Sequence, residues 1–157
     1  MNTKLLLLTT SILFLACNTT RHFTQADTDI ISAAQNLTFE VYYSMHDIPK
    51  DLSRSYNQHY KEGMSMSDKD GQFNPYDVGE KNTPSRRFIF GASAELSACR
   101  LFVFEEGGIG LKNYCIRSRK VKDGEFIQRV YLFRRANDID QLKEIIANKE
   151  YRVFNKN

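Results

Sequence analysis

The feature that most constrains the fold is a stretch of the C-terminal half in which both alternating sets of side chains are apolar. Across residues 99–105 and 109–117, one set holds Leu101, Val103 and Leu111; the other holds Phe102, Phe104, Tyr114 and Ile116. Successive side chains of a strand point to opposite faces, so two such strands joined by a short turn need cover on both sides. They belong at the centre of a sheet. The connecting residues are Glu105-Glu106-Gly107-Gly108-Ile109-Gly110. A phosphate-cradling loop needs a following helix whose free amides point at the anion, and a strand follows here. A hairpin turn using glycine for positive φ is the better reading.

The neighbouring segments extend the same plan. Residues 86–92 and 126–133 read as further strands, and 151–154 as a short last one. Asn137 or Asp138 is placed to cap a helix whose buried stripe is Ile139, Leu142, Ile145 and Ile146. Upstream, Ile30, Ala34, Leu37, Val41 and Met45 fall on one helix face and predict a helix from Thr28. Residues 37–43 also alternate and are rich in strand formers, so a strand is the competing reading there. Asp47 is placed to cap a second helix, with Pro49 in its first turn and Gly63 beyond its end. The expectation is an α+β fold: an antiparallel sheet of about four to five strands in the C-terminal half, packed with N-terminal helices and one C-terminal helix.

Residues 63–85, with Gly63, Gly71, Pro75, Gly79 and Pro84, form a long irregular connection. Connections this long are uncommon and are either functional or mobile, which makes this segment the first place to look for a site. Within it, Asp68, Asp70, Asn74 and Asp77 fall near the ligand positions of an EF-hand calcium loop around Gly71. The first ligand position would be Met66, and Pro75 obstructs an exiting helix, so an Asp/Gly-rich surface turn is the preferred account.

Cysteine usage depends on the amino terminus. Met1-Asn2-Thr3-Lys4 and an apolar run through Ala16 have the layout of a secretory signal, too short for a permanent membrane span. The stretch Phe14-Leu15-Ala16-Cys17 resembles the lipobox of bacterial lipoproteins, with Phe14 where leucine is usual. The resemblance covers residues 1–17 alone. It implies cleavage before Cys17, acylation of that cysteine, a lipid anchor in the cell envelope and no need of a transmembrane helix. Asn18, where an aspartate would signal retention at the inner membrane, points to the outer membrane, facing the periplasm. The chain then divides into a signal peptide (1–16), a lipidated cysteine and tether (17–26), and a single domain (27–157).

Cys99 and Cys115 remain, an even pair in an exported protein. Centring a three-residue turn on Gly107 sets Cys99 opposite Cys115, so a cross-strand disulfide is expected. That position is a hydrogen-bonded pair with widely spaced Cα atoms; a strained bridge, a different register and two buried thiols stay open.

No metalloprotease HExxH, nucleophile elbow or Walker loop occurs in the sequence, and its histidines, His22, His46 and His59, are dispersed. His46-Asp47 reads as a surface histidine beside a capping aspartate. No cofactor is implied. The net charge of +3, one unit of it from Lys4, is too small to argue for a polyanionic partner. The basic residues divide between two rims: Arg86-Arg87 with Arg134-Arg135, sharing an edge with Glu105 and Glu106, and Arg117, Arg119, Lys120 and Lys122 opposite. A nucleic-acid groove would need them contiguous, so solvated strand ends are the expectation. The functional expectation is a membrane-anchored, noncatalytic interaction module with an envelope protein as partner, of the immunity or inhibitor kind. The alternative is a small envelope hydrolase or metal-binding protein with its site in residues 63–85.

Overall fold

The structure, a computed structural model, describes residues 34–60, 65–76, 82–94, 99–121 and 124–154. Their centre is one antiparallel sheet of six strands in simple sequential order. The strands are β1 (Glu40–Tyr42), β2 (Arg86–Ala94), β3 (Cys99–Glu106), β4 (Lys112–Val121), β5 (Gly124–Leu132) and β6 (Tyr151–Phe154). Helix α1 (Lys50–His59) packs on one face and α2 (Ile139–Ala147) on the other. The class is α+β, with more strands than expected.

The doubly apolar segment is central, as its pattern demands. Leu101, Val103 and Cys115 join Val130, Leu132, Leu142, Ile145 and Ile146 beneath α2, an aliphatic layer. Phe102, Phe104, Tyr114 and Ile116 join Leu52, Tyr56 and Phe88 beneath α1, an aromatic one. Tyr56 of α1 stacks on Phe102 at 4.7 Å between ring centres and meets Phe104 edge-on at 5.7 Å. Such pairs add about 0.5–1.5 kcal/mol each beyond the area they bury. Gly91 makes the approach possible, since a Cβ there would lie 2.8 Å from Leu52 Cδ2.

The register differs from the expected one. Glu106 pairs with Lys112, so residues 107–111 form a five-residue loop in place of a three-residue turn. Cys99 therefore faces Arg119 and Cys115 faces Val103, and both thiols are free and buried. The expected Cys99–Cys115 bridge is corrected accordingly. Chain crossing explains the shift. The Gly107 amide donates to Ser85 O at 2.8 Å, and the Gly108 amide to Pro75 O at 3.2 Å. A Cβ on Gly107 would sit 2.2 Å from Asn74 O. Ser85 and the strap at residues 74–76 thus take the two amides that a tighter turn would have used.

Two corrections and one unanticipated feature complete the comparison. Residues 40–42 form strand β1, pairing with β2 through Val41 opposite Ala92, so the strand reading replaces the helical one; a 3₁₀ turn, Ala34–Asn36, precedes it. The helix expected from Thr28 otherwise lies outside the described residues. Helix α1 starts at Lys50 with Pro49 at the N-cap and no side-chain cap, so Asp47 does not cap it. Finally, β2 carries a bulge between Phe88 and Phe90, which turns Phe90 to the α2 side although Phe88 faces α1.

Helix α2 matches its pattern closely. The Asp138 carboxylate accepts the Gln141 amide at 2.8 Å, and Gln141 Oε1 accepts the Asn137 amide at 3.0 Å. The helix closes in a Schellman motif: Glu150 N to Ile145 O at 2.9 Å and Lys149 N to Ile146 O at 3.1 Å, with Lys149 at φ 57°. No helix among the described residues is long and apolar enough to cross a membrane.

Candidate functional site

The densest charge lies where β2 begins and β3 ends. Arg86 and Arg87 face Glu106 and Glu105 across the ladder. Neighbours along a strand point to opposite faces, so the two pairs lie on opposite sides of the sheet. Beneath α2, Glu105 is 1% exposed, and its Oε2 accepts Arg87 Nε at 2.9 Å and Nη2 at 2.5 Å. Arg135 Nη1 stands 3.4 Å from the other oxygen. On the α1 side, Glu106 accepts Arg86 Nε at 2.9 Å and Arg129 Nη2 at 2.8 Å.

Aromatic rings complete both clusters. Arg87 lies 4.1 Å from the Phe73 ring centre, Arg86 4.3 Å from Tyr60 and Arg129 3.9 Å from Tyr114. Burial pushes the Tyr56 and Tyr60 phenols upward, against the pull of Arg86 and Arg129 beside them. Each carboxylate engages two guanidinium groups, which makes the tandem glutamates a clamp joining β2, β3, β5 and the β5–α2 connection. The sequence places these charges on one edge but does not reveal their burial. They are not solvated strand ends.

Arg117 departs further from that expectation. It is 2% exposed beneath α2, and its Nε donates to Cys99 Sγ at 3.2 Å. Burial and the charge of Cys99 push the Cys115 thiol up to about 12, with Arg117 opposing. The side chains of Arg119, Lys120 and Lys122 lie outside the described residues.

At the opposite end of the sheet is a cavity of about 310 Å³ that mixes charged and polar groups with the apolar Pro49, Ala94 and Cys99. Glu40, Tyr42 and Ser93 line it from the β1–β2 pair, Pro49 and Asp51 from the start of α1, and Arg100 from β3. Arg100 Nη2 meets Asp51 Oδ2 at 2.5 Å, and the Tyr42 hydroxyl lies 3.4 Å from Ser93 Oγ. Desolvation raises the Tyr42 pKa, as does its hydrogen bond with Glu40. The hollow offers donors and acceptors of both charges, suited to a polar group of a partner. Assigning residues 40–42 to a helix concealed it, because only the strand brings Tyr42 beside Ser93.

The calcium-like residues are spent locally. The Asp68 carboxylate accepts the Met45 amide at 2.8 Å and the Ser44 hydroxyl at 3.3 Å; Asn74 Oδ1 accepts the Tyr76 amide at 3.0 Å. Asp70 is exposed, and Asp77 lies outside the described residues. Among the described residues no three His, Cys, Asp or Glu side chains gather as a metal site. His46 is exposed on the turn before α1, and His59 ends that helix. Among the described residues, neither His46 nor any residue of 63–85 lines the polar cavity.

A third feature is apolar. The β3–β4 loop and its neighbours present Ile109 (97% exposed), Tyr76 (71%), Phe133 (59%) and Leu111 (46%) at the clamp end of the sheet. Ile109 and Leu111 were expected inside β4; the longer loop releases them. Cys17 and the lipobox-like stretch lie outside the described residues. No known protein family, curated protein or solved structure matches the chain.

Proposed function

We propose that the chain is a lipid-anchored envelope protein, held by acyl chains on Cys17, whose α+β domain is a noncatalytic binding module. The observation that carries the reading is the apolar run ending in Phe14-Leu15-Ala16-Cys17, which resembles a lipobox. Two or three acyl chains, at about 0.8 kcal/mol per buried methylene, hold a protein at a bilayer without a spanning helix. The outer membrane, on its periplasmic side, is the proposed address. The domain's charges support binding over acid–base chemistry, because Glu105 and Glu106 are engaged by Arg87 and Arg135, and by Arg86 and Arg129. The polar hollow is the proposed contact for an envelope protein, in the manner of immunity or inhibitor proteins.

Two measurements test this. Intact mass of the membrane-extracted protein should show acylated Cys17 as the first residue, and Cys17→Ser should abolish that processing. Crosslinking in membranes followed by pull-down should recover a partner that Glu40→Lys, an exposed change at the cavity mouth, releases. Unchanged processing of Cys17→Ser overturns the anchor; recovery of the protein alone under several crosslinking conditions overturns the binding role.

A further inference from the structure

We infer that the apolar rim at the clamp end of the sheet is a membrane-contacting edge that seats in the headgroup layer of the bilayer holding the anchor. The inference rests on the lipid-anchored reading and adds an orientation to it. Ile109, Leu111, Tyr76 and Phe133 are large and exposed, and they meet at one end through the ladder and its ties. Tyr76 bridges Gly108, next to Ile109. Phe133 follows Leu132, which faces Asn113, while Leu111 precedes Lys112 in the adjacent strand. The loop is held at its base by the Gly107 and Gly108 amide bonds to Ser85 and Pro75, so Ile109 is propped outward.

Shape and charge favour a lipid surface over a protein. A stable protein interface takes about 20–30 residues a side and a complementary surface. A rim of four apolar residues is far below that, whereas a bilayer interface demands no fitted shape and accepts aromatic rings and cations together. Lys112 stands exposed beside the tip. Residues 17–33, at most about 60 Å when extended, allow this end to reach the membrane. Seating the rim would turn the polar cavity, at the other end of β2 and β3, away from the bilayer.

The test uses the full-length acylated protein in vesicles of phosphatidylethanolamine and phosphatidylglycerol. Ile109→Cys carries an environment-sensitive fluorophore; Cys99 and Cys115 are buried, and acylation occupies Cys17. Asn57→Cys, exposed on α1, is the control. The expected result is a blue shift with a several-fold rise in emission at 109, quenched by lipid-borne quenchers, and neither change at 57. Absence of the shift at 109 in protein that floats with the vesicles overturns the inference and leaves the anchor standing. A shift that appears only when envelope proteins are added assigns the rim to a protein and overturns it equally. Protein that fails to float overturns the anchor and this inference with it.

Discussion

Replacing Glu105 by glutamine tests whether the buried half of the clamp holds the sheet end together. Glutamine keeps the shape but loses the charge, leaving Arg87 and Arg135 beside a neutral amide in a site only 1% exposed. Removing one partner of a buried ion pair costs about 3–5 kcal/mol. The two arginines retain water access, at 22% and 37% exposure, which places the loss near the lower bound, about 3 kcal/mol. Glu106→Gln acts on a carboxylate 21% exposed and should cost less, about 1–2 kcal/mol. With a urea slope of about 1.5 kcal/mol per molar, the midpoint should fall by about 2 M for Glu105→Gln and about 1 M for Glu106→Gln. The sequence holds no tryptophan, so far-UV circular dichroism is the suitable probe. A loss below about 1 kcal/mol at Glu105, or a larger loss at Glu106, would refute the argument that burial sets the value of these pairs.

Gly107→Ala should destabilise by about 3 kcal/mol because its Cβ meets Asn74 O at 2.2 Å, whereas Gly110→Ala, with nothing within 4 Å, should stay within about 0.5 kcal/mol; urea midpoints compare them. Asp138→Ala should cost about 1 kcal/mol by removing the cap on the Gln141 amide, read from the same midpoints. Lys149→Gly should instead raise the midpoint, by about 0.5–1 kcal/mol, since φ 57° suits glycine better than lysine. Stability should also fall with alkali. The unfolded chain loses its Cys115 proton near 9.0, while the folded chain holds it to about 12. Tyr56, with its raised pKa, acts in the same direction above 10.0. Stability from these groups is therefore complete below the unfolded values and lost as pH rises past them, by up to about 1.4 kcal/mol per pH unit per group. A urea midpoint unchanged to pH 11 would contradict this.

The pattern of side chains made the faces legible and left the partners hidden, for a physical reason. The register moved by an even step, from Cys99 opposite Cys115 to Cys99 opposite Arg119. An even step leaves every residue on its side of the sheet, so the aromatic and aliphatic layers stand while each cross-strand neighbour changes. What decided the register was the hold of Ser85 on Gly107 and of the strap at residues 74–76 on Gly108, contacts remote in sequence. The same limit concealed the Phe88–Phe90 bulge, the Tyr42–Ser93 contact behind the polar cavity, and the burial of Arg117, each of which depends on another segment. Ile109 and Leu111 make the point most sharply. Apolar residues continuing a strand pattern look like core, because periodicity records that a side chain avoids water without saying what shields it. Among the described residues nothing shields Ile109, 97% exposed on a loop fastened at its base. An apolar side chain propped outward in this way can be shielded only by a surface outside the chain, and it is on these residues before the start of β4 that the proposed membrane-facing edge rests.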